Sequence, residues 1–84
     1  MGPDQVSEVV FFAHSHYDPV MRQAALESLI GTWRRFGLIG PVYEIVGIGE
    51  TLPAGDQAMR VRVLETNEEV DYRLSNLLDD PTEV

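Results

Sequence analysis

Apolar and polar residues alternate most clearly toward the C-terminal end of the chain. Met59, Val61 and Val63 occupy every second position, as do Val70, Tyr72 and Leu74, and mostly charged residues stand between them. A period of two marks strands with one buried face, and Thr66-Asn67 between the two runs supplies a turn. A turn centred there, or a four-residue loop over 65–68, pairs Val63 with Val70, Val61 with Tyr72 and Met59 with Leu74, so one face of the hairpin is wholly apolar. The opposite face carries Arg60, Arg62, Asp71 and Arg73. In that register Arg62 faces Asp71, and Arg60 faces Arg73, a like-charge pair that costs stability unless an acid approaches. With strands expected over 59–64 and 69–74, two more are predicted upstream, over 32–36 and 42–48. They are bounded by Gly37, Gly40-Pro41 and a loop over 49–56.

The spacing before residue 31 is helical. Asp18-Pro19 pairs a capping residue with a proline suited to the first helical position, and a helix is predicted over 19–30. Met21, Ala24, Ala25, Ser28 and Leu29 fall on one side, with Arg22, Gln23 and Glu27 away from them; Leu26 and Ile30 suggest a second contact face. Gly31 is the expected stop. The run Val9-Val10-Phe11-Phe12 does not alternate and reads as a short strand or buried anchor. After the hairpin, residues 74–81 read as one helical turn with Ser75 as cap and Pro81 as stop, its Leu77 and Leu78 closing one end of the sheet.

These elements predict an α+β fold: a small antiparallel β-meander or SH3-like partly open barrel, with one N-terminal helix and a short C-terminal helical turn. Residues 1–5 are expected to be a flexible leader and 6–84 a single small domain. Within it, 6–30 form an extension, 31–80 the meander core and 81–84 a tail.

Composition narrows the function classes. At 84 residues the chain holds one domain, and without cysteine it has no disulfide, thiolate metal site or thiol nucleophile. The formal charge of −8 opposes general binding to nucleic acid phosphates. No apolar run approaches the roughly 20 residues of a membrane span, and the first residues lack the basic character of a signal peptide, which points to the cytoplasm. All six basic residues are arginine, whose planar fork suits carboxylates and phosphates.

The words Gly31-Thr32-Trp33-Arg34-Arg35-Phe36-Gly37, Gly40-Pro41-Val42-Tyr43-Glu44 and Val63-Leu64-Glu65-Thr66, followed by Leu77-Leu78-Asp79-Asp80-Pro81, resemble a family of short bacterial proteins of unknown function. The resemblance covers roughly the last two-thirds of the chain. It implies a bacterial source and brings no catalytic residues with it.

Several motifs invite a chemical reading. His14-Ser15-His16-Tyr17-Asp18 after an apolar run resembles the opening of the metallo-β-lactamase ligand motif, but Pro19 stands where that motif has its next histidine and the chain has no third. His14, His16 and Asp18 are therefore metal candidates only, with no cofactor expected. The acid pairs Glu68-Glu69 and Asp79-Asp80 read as solvated charges, because neighbouring strand residues point to opposite faces and the second pair sits near an end. Ser7, Ser15, Ser28 and Ser75 lack the setting of a nucleophile. Trp33-Arg34-Arg35-Phe36 combines residue types common at binding hot spots. The expected function is a noncatalytic protein-interaction module, with Trp33, Arg34, Tyr43, Arg60, Arg62 and Arg73 as candidate surface. Its partner is an unidentified protein, a second copy being one candidate. A nucleic acid-associated, antitoxin-like regulator and a metal protein centred on the His14–Asp18 segment are the alternatives.

Overall fold

The structure, a computed structural model, describes residues 19–84. The expected leader, the apolar run over 9–12 and the candidate ligands His14, His16 and Asp18 lie outside the described residues.

Helix α1 (Pro19–Glu27) opens on its proline and ends sooner than the spacing predicts. Leu29 and Ile30 donate to the carbonyls three residues back, a tightening common at helix ends, and Gly31 at φ +91 sends its N–H away to the Ile45 carbonyl at 2.7 Å. Its buried residue is Leu26, with Leu29 packed beside it, whereas Met21, Ala24 and Ala25 are exposed. Leu26 from the second suggested face and Leu29 from the first thus meet the core together, and Ile30 is exposed.

The rest of the chain is strand β1 (Trp33–Arg35), β2 (Val42–Thr51), β3 (Gln57–Val63), β4 (Glu69–Arg73), helix α2 (Leu74–Asp79) and β5 (Thr82–Glu83), with a 3-10 turn at Pro53–Gly55. One antiparallel sheet results, in the order β4-β3-β2-β1-β5. The meander predicted for the second half is present, and the whole is a small α+β fold. Its two outer strands do not meet, so the sheet is open and not a closed barrel. β5 is the unexpected strand: residues assigned to a tail return to pair with β1, Trp33 opposite Glu83 and Arg34 opposite Thr82. Ser75 does not cap α2; Arg73 holds that position, and the Ser75 hydroxyl lies 3.5 Å from Asp56.

Both helices lie on one face. Leu26 from α1 and Leu77 from α2 pack onto Tyr43, Ile45, Met59 and Val61, whereas Leu78, expected to join them, is 55% exposed. Two register shifts in β2 keep its apolar residues on that face. One extra residue between Ile45 and Gly47 lets Ile45 and Ile48 oppose Val61 and Met59 despite their odd spacing. A second shift between Ile48 and Thr51 disturbs the ladder, and there the buried Gln57 amide donates to the carbonyls of Gly49 at 2.9 Å, Glu50 at 3.2 Å and Ala58 at 2.9 Å. Gly47 and Gly49 stand beside these irregularities, as glycines within strands often do.

The final hairpin keeps its predicted faces in a register displaced by two residues. Val61 pairs with Val70 and Met59 with Tyr72, and the closing bond runs from Val63 N–H to the Glu68 carbonyl at 2.8 Å. The loop is therefore 64–67, with Asn67 in the left-handed region at φ +64, a conformation asparagine tolerates well. On the opposite face Arg60 now meets Asp71 and Arg62 meets Glu69, so the expected Arg60–Arg73 clash does not arise.

Gln57→Glu replaces the amide donor at the second β2 shift with a carboxylate facing three carbonyls. A loss of about 3 kcal/mol is expected by urea denaturation at neutral pH. Stability equal to that of the parent would show that the amide is not needed there.

Candidate interaction site

The six candidate surface residues divide between the two faces. Trp33, Arg60, Arg62 and Arg73 project from the outer face, away from the helices, in rows set by the registers Trp33–Glu44–Arg62–Glu69, Gly47–Arg60–Asp71 and Ala58–Arg73. Arg34 and Tyr43 are paired on the covered face, and Tyr43 is fully buried, which corrects its assignment to the surface. A tyrosine in an alternating strand suits either side; its hydroxyl partner decides.

The outer arginines are engaged within the chain. Arg60 reaches Asp71 at 3.0 Å and Glu69 at 3.4 Å, and these bonds raise its pKa above the ordinary value. Arg62 bridges Glu44 and Asn67, Arg73 reaches Asp56 at 3.6 Å, and Arg35 reaches Glu83 at 3.3 Å. Solvent screens exposed pairs of this kind, so they contribute little to stability, but each takes up a donor that would otherwise meet a ligand. Among the described residues no group of three acidic or histidine side chains is placed to hold a metal ion, and no helix is long and apolar enough to cross a membrane.

The polar centre of the molecule is Asp80. Read as an exposed terminal acid, it is 9% exposed and accepts three hydrogen bonds: from Tyr43 Oη at 2.7 Å, Tyr72 Oη at 2.9 Å and Gly37 N–H at 3.0 Å. Arg34 donates to its main-chain carbonyl at 3.0 Å. The Phe36, Tyr43 and Tyr72 rings enclose the carboxylate's donors, with centroids 4.3, 5.1 and 5.5 Å apart. Burial pushes the Asp80 pKa up, yet the bonds from Tyr43, Gly37 and Tyr72, with the nearby Arg34 charge, outweigh it and leave the pKa lowered. Burial and the bond to Asp80 raise Tyr72 to about 12, and the more deeply buried Tyr43 is raised further.

This carboxylate fixes the loop between β1 and β2. Gly37, at φ +63, gives its N–H to Asp80; Phe36 N–H bonds the Pro41 carbonyl at 3.0 Å, Gly40 N–H the Phe36 carbonyl at 2.9 Å, and the Arg35 guanidinium the Gly40 carbonyl at 3.0 Å. A Cβ on Gly40 would stand 2.2 Å from the Phe36 carbonyl oxygen, so no other residue fits. At the tip of this braced turn Leu38 and Ile39 are 86% and 95% exposed. The available signal was a pair of aliphatic residues enclosed by glycines in Gly37-Leu38-Ile39-Gly40-Pro41. A second apolar feature is a groove of about 520 Å³ between the helices, lined by Met21, Ala25, Leu26, Leu29, Leu74 and Leu78.

An open five-stranded sheet with helices on one face, held by a buried carboxylate, defines a small α+β domain without an evident catalytic centre among the described residues. Residues 19–84 match the family of unknown function DUF5397, and the chain belongs to that family. It is similar to an uncharacterized protein of Haemophilus influenzae, with 39% identity over 51 residues that span 61% of this chain and 81% of the relative.

The depressed pKa of Asp80 has a definite sign in stability. Its contribution is complete above the ordinary carboxylate value of about 4 and is lost as pH falls through the lower folded-state value. Asp80→Asn is expected to cost about 2 kcal/mol at neutral pH and to flatten the acid limb of a urea-denaturation series between about pH 2 and 7. Parallel acid limbs in parent and variant would contradict this assignment.

Proposed function

We propose that this chain is a noncatalytic protein-interaction module of the bacterial cytoplasm, and that it engages its partner through the Leu38–Ile39 tip. The observation that carries the proposal is the near-complete exposure of two aliphatic side chains on a loop braced by four hydrogen bonds. Burying an aliphatic side chain of this size contributes about 1.5–3 kcal/mol, which solution exposure forgoes. Bracing lowers the ordering cost of association, so the tip is prepared for an apolar pocket. Trp33, 44% exposed, adds contact area on the same hairpin. The ion-paired Arg60, Arg62 and Arg73 contribute orientation at most, because each already reaches an acid of its own chain.

A photo-crosslinking amino acid placed at position 38 tests the proposal in bacterial cells, with the same group at exposed Thr66 as the control. A discrete protein adduct from position 38 alone is expected, and Leu38→Asp with Ile39→Asp should reduce partner capture by about tenfold or more, with the melting temperature nearly unchanged. Equal labelling from both positions, or capture indifferent to the double substitution, would count against the tip.

A further inference from the structure

We infer that the outer edge of β4 is the surface on which two copies of this chain join, strand to antiparallel strand, about a two-fold axis at Asp71. Sheet order leaves β4 and β5 at the edges, and β5 has only two residues. Among the described residues no strand pairs with the far side of β4. Glu69–Arg73 contains no proline and no bulge to block pairing, and its three charged side chains are of both signs.

The backbone pattern sets the pairing. Val63 and Glu68 form a hydrogen-bonded pair, and bonding alternates along an antiparallel ladder, so Val70 and Tyr72 turn their main-chain groups toward β3. Glu69, Asp71 and Arg73 turn theirs outward. The Arg73 carbonyl belongs to the start of α2, which leaves its N–H for a neighbour. With the axis at Asp71, the two Asp71 residues exchange two hydrogen bonds, and each Arg73 N–H meets the Glu69 carbonyl of the other copy, giving two more.

Side-chain charge selects this register over its neighbours. An axis at Val70 sets Glu69 against Asp71 twice, a double repulsion. An axis at Tyr72 drives residues 69 and 70 against the other copy's helix α2 and halves the bonds. The axis at Asp71 sets Glu69 against Arg73 twice, with all these side chains on the outer face and about half to two-thirds exposed. Its one repulsion, Asp71 against Asp71, is moderated because each carboxylate holds its own Arg60 at 3.0 Å. The edge is thus complementary to itself.

Sedimentation velocity over a concentration series of the whole chain tests the inference. A concentration-dependent dimer is expected. Asp71→Pro removes the central outward N–H without removing a backbone bond to β3, and, because the Arg60 pair lost with the side chain is exposed, should yield a monomer whose circular dichroism and melting curve stay close to the parent's. Glu69→Arg and Arg73→Glu should each weaken the dimer by about tenfold, the double exchange should restore it, and Asp71→Asn should strengthen it. Leu38→Asp with Ile39→Asp should leave it intact, which separates this surface from the tip proposed above. A monomer at every concentration, a dimer indifferent to Asp71→Pro, or one abolished by the tip substitutions would overturn the inference.

Discussion

A carboxylate removed from water must find donors, and Asp80 finds them on three separate parts of the chain. Tyr43 lies on a central strand, Tyr72 on an edge strand and Gly37 in the first hairpin loop, while Asp80 itself follows α2. Leaving any one of these groups buried and unpaired would cost more than a typical net hydrogen bond contributes, so the four segments hold one another in place. Among the described residues the apolar core is modest, with six side chains in the buried cluster. In a chain this short, without disulfides, a shared polar anchor supplies specificity that the core lacks the volume to supply.

Parity was legible in the sequence and registration was not. Alternation assigns Met59, Val61, Val70 and Tyr72 to one face in either register, because shifting a strand by two residues exchanges one apolar pair for another. The arginines held the missing information: the like-charge meeting of Arg60 and Arg73 was a sign that the hairpin lay elsewhere. Moving the loop to 64–67 and placing Asn67 in a left-handed turn brings both Arg60 and Arg62 opposite acids. Strand β5 escaped notice because two residues cannot display a period.

The site was harder to read for a related reason. Adjacent acids near the end of a chain usually face water, and only the fold shows that Asp79 and Asp80 part company, one exposed and one enclosed by phenols. Tyr43 was misplaced with the surface residues for want of that same partner. The sequence words around Gly31–Gly37 and Gly40–Glu44 meet Leu77–Pro81, distant along the chain, at this carboxylate.

The bond between Gly37 and Asp80 joins residues 43 positions apart, whereas the three meander hairpins join neighbours. Closing so long a loop costs more chain entropy than closing a hairpin, so this bond relies on the packing around it. Three of the four bonds that brace the Leu38–Ile39 turn are local to its hairpin, and the fourth alone ties it to the far end of the chain. Protonating Asp80 thus bears on the setting of a turn 43 positions away, which links the acidity of one buried group to the placement of two exposed aliphatic side chains.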